Sequence, residues 1–219
     1  MNVPVAKSTL KAALDMVLFT VVGTAILAFT FMQTHALILK SEEAEKLKLI
    51  TQIVSPNLFD NDIVKDMIEV PANAELGTDE PGIAYRARLQ GKPSVVVLQA
   101  TAPDGYSGKI RLIVAIREDA TVAGVRVVAH KETPGLGDYI DFAKNHWISV
   151  FDDTSHARYK EGDWQVKKDG GQFDYMAGAT ITPRAVVKAV HKALHYYEAN
   201  REQLFAPGTP QPPTAGEKS

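Results

Sequence analysis

The chain has 219 residues, 45% of them hydrophobic, which is enough to bury the core of one domain with appendages. Its 24 Lys and Arg against 26 Asp and Glu give a net charge of −2, and no basic block stands out, so a nucleic-acid footprint is excluded. The absence of cysteine excludes disulfides, thiolate metal sites, iron–sulfur ligation and a cysteine nucleophile.

In chain order, residues 1–15 form a short N-terminal segment. From Met16 to Leu39 no residue carries a fixed charge, and this stretch is expected to be a transmembrane anchor. At ~1.5 Å per residue it can cross a ~30 Å hydrocarbon core. The inner part, MVLFTVVGTAILAFTFM, holds nine Val, Leu, Ile and Phe residues, each favouring insertion by roughly 0.3–0.6 kcal/mol at the centre. A cleaved signal peptide would have a shorter apolar region ending in a small-residue cleavage site. Here the stretch runs into Gln33-Thr34-His35, which favours an uncleaved span. Lys7 and Lys11 precede it and Lys40, Lys46 and Lys48 follow it, so the positive-inside count does not decide the orientation.

Residues 41–54 open with a capping-type Ser41 and place Leu47, Ile50 and Ile53 at helical spacing. Strands are expected at 83–89 and 94–100, paired across Gly91, and at 109–117 and 122–130, joined through Glu118-Asp119. A helix is expected over 138–150, where Ile140, Ala143, Trp147 and Val150 share a side, and a short strand over 164–168. Thr182-Pro183 is expected to start a helix reaching about residue 200, with Val186, Val187, Val190, Leu194 and Tyr197 as its apolar stripe. The proline-rich stretch 206–219 reads as a disordered tail. The sum is an α+β protein: one N-terminal transmembrane helix (16–39), then one globular domain (40–205) with a mostly antiparallel sheet.

Familiar catalytic patterns are incomplete. Gly135-Leu136-Gly137 resembles part of a dinucleotide fingerprint, but Ile140 stands at the third glycine position. Ser107 in GYSG does not make a nucleophile elbow. His191 and His195 are four apart on a helix, yet the motif has no acidic partner, so both read as ordinary helix residues and no metal is expected. His130 and His156 read as isolated.

Two loops carry more. ETPGLG, residues 132–137, follows a strand and combines Pro134 with Gly135 and Gly137, a turn whose backbone can approach a ligand. The alternative is a plain strand-to-helix turn. DYMAGATITP, residues 174–183, offers small residues at Ala177, Gly178 and Ala179, then Thr180, then Thr182 as an N-cap with Pro183 at the first helical position. A helix start there presents unpaired N–H groups and a positive dipole end, which stabilise a phosphate.

DYMAGAT resembles the flavinylation motif D-x-x-(S/T)-G-A-(T/S), in which FMN is attached by a phosphoester to the final hydroxyl. With the anchor, GYSGKI at 105–110 and ETPGLG in the family's order, the chain resembles the G subunit of the Rnf ion-translocating oxidoreductase. It is more distantly similar to the C subunit of the sodium-translocating NADH:quinone oxidoreductase. Position 177 departs from the pattern, with Ala where the family usually has Ser or Thr; the acceptor Thr180 is retained.

The resemblance implies covalent FMN on Thr180, with Ala177, Gly178 and Ala179 leaving room for it and the helix near Thr182 stabilising its phosphate. It implies that Asp174 serves recognition by a flavin transferase during maturation. Around the ring it implies contacts from Thr133, Gly135 and Leu136, an aromatic wall at Tyr106 beside Ser107, and a tuning role for Glu132. The implied function is electron transfer inside a membrane complex that couples electron flow between NADH and ferredoxin to cation movement. The chain would not be catalytic alone and would work with the other subunits. Its domain would lie on the periplasmic side of the bacterial inner membrane. The rival reading is a membrane-anchored scaffold or binding module without redox work.

Overall fold

The computed structural model describes residues 3–206. The expected disordered tail falls, from residue 207 on, outside the described residues. The chain forms two units, Met1–Lys46 and Leu47–Ser219.

The first unit is helical. Helix α1 spans Val3–Ile53, and its segment Thr9–His35 is long and apolar enough to cross a membrane, with a mean hydropathy of 2.1 over its most apolar window. Among the described residues, none covers the apolar side chains from Leu10 to Met32, which are exposed on every face of the helix. The hydroxyls of Thr20, Thr30 and Thr34 donate to the carbonyls of Met16, Ile26 and Thr30, so these polar side chains of the span are satisfied within the helix itself. One expectation is corrected here: Ser41 does not start a separate helix but lies inside α1. From Thr24 to Val54 there is no Gly or Pro to break the run, and Ala, Leu, Lys and Glu there are strong helix formers.

The second unit is built on a five-stranded antiparallel meander in the order β1-β2-β3-β4-β5. The strands are β1 Met67–Val70, β2 Gly82–Leu89, β3 Lys92–Gly105, β4 Gly108–Arg117 and β5 Val122–Ala129. The sequence reading missed β1, whose four residues MIEV are too short to show a period. The centre of the sheet is buried on both faces, which explains the near-continuous apolar runs VVVL and LIVAI. Toward one face Val96, Leu98, Leu112 and Val114 pack with helix α2, Ile181–Phe205, through Val186, Val190, Leu194 and Tyr197. Toward the other, Val95, Val97, Ile113 and Ala115 pack with Ile50, Ile53 and Val54. Each fully buried aliphatic side chain contributes roughly 1.5–3 kcal/mol relative to exposure.

Between β5 and α2 the chain uses short 3₁₀ turns. The expected helix over 138–150 is instead two of them, Gly137–Ile140 and His146–Phe151. The side chain of Asn145 accepts from the Trp147 N–H and restarts the chain there, so the helical spacing of Ile140 and Trp147 is met without a helix. The expected strand at 164–168 shrinks to a single bridge, Val166 to Phe173, followed by a 3₁₀ turn over Lys167–Asp169. His156 is not isolated: its ring lies 4.4 Å from that of His195 and 5.0 Å from that of His191.

Candidate flavin site

Three separated segments meet at one cavity of about 350 Å³, lined by Tyr106, Glu132, Thr133, Leu136, Gly137, Gly178, Ala179, Thr180, Ile181 and Thr182. They are the β3–β4 hairpin turn, the ETPGLG loop after β5 and the start of α2. Of the twelve residues expected at the cofactor, eight line it, and Ser107, Gly135, Ala177 and Asp174 do not. Gly137, already part of the ETPGLG turn, and Ile181 line it as well. A wider, more open groove of about 600 Å³ lies over Gly77–Gly82, Lys109 and His130. The smaller cavity is the better candidate because a helix start and a free hydroxyl open onto it.

Glu132 ties the three segments together. It is buried, and its Oε1 accepts from the Ser107 N–H at 3.0 Å while its Oε2 accepts from the Thr182 hydroxyl at 2.5 Å. Both carboxylate oxygens are thus engaged within the protein. A Cβ at Gly137 would stand 2.7 Å from Glu132 Oε2 and 2.9 Å from Thr182 Oγ1, so glycine at 137 is required by the clamp itself. Gly105 has the same reason, since its Cβ would stand 3.0 Å from Glu132 Oε1 and 2.2 Å from the Gly108 carbonyl.

The ETPGLG turn closes on the Thr133 carbonyl, which accepts from the N–H groups of Leu136 and Gly137 at 3.1 Å each. Gly135 adopts a φ of 77°, in the left-handed region, and its N–H donates to Asp138 Oδ1 at 2.8 Å. The Lys144 ammonium, 2.6 Å from Asp138 Oδ2, holds that carboxyl below the usual carboxylate range. The turn is therefore internally braced, and Leu136 is left half-exposed on the cavity wall.

The start of α2 corrects the sequence reading. Thr180, not Thr182, occupies the N-cap position, and its side chain makes no capping hydrogen bond. Thr182 lies in the first turn, buried, its hydroxyl engaged by Glu132. Pro183 stands third in the helix rather than first. The Thr182 hydroxyl instead donates to a buried carboxylate 50 residues away, a charge-assisted bond that orients the side chain toward the cavity wall. The N–H groups of Ile181 and Thr182 have no carbonyl one turn before them in the helix, so they and the helix dipole favour an anion at this end. The Thr180 hydroxyl sits at that end, partly exposed, beside Gly178, whose φ of 87° only glycine adopts readily.

The loop carrying Thr180 is held from outside the cavity. Trp147 Nε1 donates to the Asp174 carbonyl at 2.8 Å, and the Met176 N–H donates to the Tyr139 hydroxyl at 3.3 Å. The carboxylate of Asp174 pairs with Lys167 at 2.6 Å on an exposed surface. Ala177 is exposed and does not line the cavity.

Residues 105–195 match the family model of the FMN-binding domain, and residues 1–53 match that of the RnfG N-terminal region. A protein of Pseudomonas aeruginosa, described as the G subunit of an ion-translocating oxidoreductase complex, is 47% identical over 207 residues, covering 94% of this chain and 97% of its own length. The chain belongs to this G-subunit family. Proteins of the same description from Pseudoalteromonas atlantica and Vibrio cholerae are 43% and 42% identical, over 90% and 89% of this chain and 91% and 92% of their own length. The FMN-binding match begins at the β3–β4 turn and ends within α2, so it contains the cavity and every residue lining it.

Proposed function

We propose that this chain is a membrane-anchored electron-transfer component of an ion-translocating oxidoreductase complex, carrying one FMN esterified through its phosphate to Thr180. The G-subunit relatives, similar along almost the whole chain, support membership of such a complex, and the FMN-binding domain supports the cofactor. By the family resemblance, electrons pass between NADH and ferredoxin, the domain lies on the periplasmic side of the inner membrane, and a flavin transferase makes the ester. The observation that carries the covalent reading is the uncapped Thr180 hydroxyl, placed where a cavity and a helix start converge.

The residues present fit the group. A cavity of about 350 Å³ falls in the range of roughly 300–1,000 Å³ typical of cofactor pockets. The first-turn N–H groups of α2 would hold the phosphodiester charge. Leu136 and Tyr106 would offer apolar and aromatic surface to the ring, and the Thr133 side chain and loop backbone would offer hydrogen bonds. Glu132, whose oxygens accept from the Ser107 N–H and the Thr182 hydroxyl, ties two of these walls together. When bound, the flavin supplies reversible one- and two-electron transfer.

Intact-mass analysis tests the assignment. Wild-type protein made with its transferase carries one FMN adduct, which also fluoresces on a denaturing gel. Thr180→Ala carries none, and Thr180→Ser retains it. An adduct persisting in Thr180→Ala would overturn the attachment site, and a wild-type chain without flavin would favour the scaffold reading.

A further inference from the structure

Away from the cavity, three histidines from two segments converge. His191 and His195 lie one turn apart on α2, and His156 sits in the loop that follows Phe151. One ring nitrogen from each lies within 4.8 Å of the other two. Glu161, in a short 3₁₀ turn, brings Oε2 to 3.3 Å from His191 Nε2 and 3.4 Å from His195 Nε2. Glu198 Oε2 lies 2.8 Å from His156 Nδ1. The remaining nitrogen of His156, Nε2, and the Nε2 of His191 are buried without a well-aligned hydrogen-bond partner.

We propose that His156, His191, His195 and Glu161 form a tetrahedral site for a divalent transition cation, zinc being the ion that fits, with Glu198 as the positioning residue behind His156. The distances argue for it. Zinc bonds of ~2.0–2.1 Å arranged tetrahedrally put neighbouring ligand atoms about 3.3–3.4 Å apart, which is the spacing of Glu161 Oε2 from both α2 histidines. The wider nitrogen separations close by rotation of side chains, of which His195 is 40% exposed and free to move.

The hydrogen bonding argues for it independently. A carboxylate on Nδ1 makes that nitrogen the donor and leaves Nε2 a lone pair, the arrangement that orients a histidine toward a metal. His156 Nε2 is then a buried acceptor without a donor, a lone pair that a cation would engage. The stacking of Trp164 on His191, with centroids 4.9 Å apart, accounts for the burial of one ring but not for the convergence of three nitrogens and a carboxylate. Four protein ligands leave no open position, so the site is structural. In a chain without cysteine it would cross-link the 154–163 segment to the third and fourth turns of α2, stabilising the folded form by mass action.

The test uses untagged full-length protein in detergent, stripped with a chelator and then titrated with zinc or with cobalt(II) as a spectroscopic probe. Wild type should take up one equivalent of zinc, raise its melting temperature, and give the intense visible bands of tetrahedral cobalt. His195→Ala, at a half-exposed position that tolerates truncation, should lose at least about 100-fold in affinity. Glu198→Gln should lose about 10–100-fold while keeping the stoichiometry at one, as for other carboxylates behind a ligating histidine. Absence of saturable binding in wild type, or wild-type affinity in both His195→Ala and Glu161→Ala, would overturn the site.

Discussion

Glu132 reaches both the β3–β4 turn and the start of α2, so its neighbours can be changed one at a time to measure what the clamp contributes. Thr182→Ala removes the donor to Oε2 and leaves a buried carboxylate oxygen without its partner. The expected cost is about 1–3 kcal/mol, more than the loss of a surface hydroxyl, and Thr182→Ser should recover most of it. Unfolding of the full chain in detergent measures this. A change below ~0.5 kcal/mol, the scale of neutral surface substitutions, would mean that the clamp contributes nothing. Gly137→Ala should destabilise through the same atoms, because its methyl would press on Glu132 and Thr182 together. Ala177, the one departure from the flavinylation pattern, raises no such difficulty. It is exposed and off the cavity wall, so a smaller side chain there leaves the space around Thr180 unaltered. Gly178 is the position in that run that the backbone demands.

At the scale of elements, the loop 132–137 allows a role in the fold to be told apart from the proposed role in cofactor contact. Its bracing comes from Thr133, Gly135 and Asp138 and from the backbone N–H of Leu136, while the half-exposed Leu136 side chain contributes little to it. Leu136→Ala should therefore change stability by no more than ~0.5 kcal/mol while shifting the reduction potential or the fluorescence of bound FMN, with covalent attachment intact. An unaltered flavin together with a lower melting temperature would show the loop to be a plain turn. The strands from 82 to 129 were legible in the sequence because a sheet buried on both faces demands unbroken runs such as VVVL, which few other structures use at that length. The two loops that meet at the cavity were legible as motifs. What the sequence hid depended on partners far along the chain. The Thr182-Pro183 pair has the chemistry of a helix start, but the Thr182 hydroxyl donates to Glu132 and the helix begins at Ile181. The 138–150 segment has helical spacing, but Asn145 interrupts it with its own cap. Of the histidine cluster, the four-residue spacing of His191 and His195 was visible, but His156, 35 positions before His191, and the carboxylates of Glu161 and Glu198 were not.

For the whole molecule, the orientation of the anchor decides which compartment the flavin and the histidines face. The lysines flanking the uncharged stretch Met16–Leu39, two before it and three after, are nearly balanced, so the periplasmic placement rests on the family resemblance. A reporter active only in the periplasm, fused after Ser219, should be active, and Met1 should be retained in the mature chain. Activity from a cytoplasm-only reporter at the same position would reverse the orientation. The two proposed sites share α2 but not its residues: Thr182 and His191 are nine positions apart, or roughly 14 Å along a helix rising ~1.5 Å per residue. The chain has 2 tryptophans, and each stands beside one of these places. Trp147 donates to the carbonyl at the head of the Thr180 loop, and Trp164 lies flat on His191. The molecule thus carries its own pair of optical reporters. Quenching of Trp147 emission would follow flavin loading, and a change in Trp164 emission would follow the histidines, so occupancy of each site can be observed by light without labelling the chain.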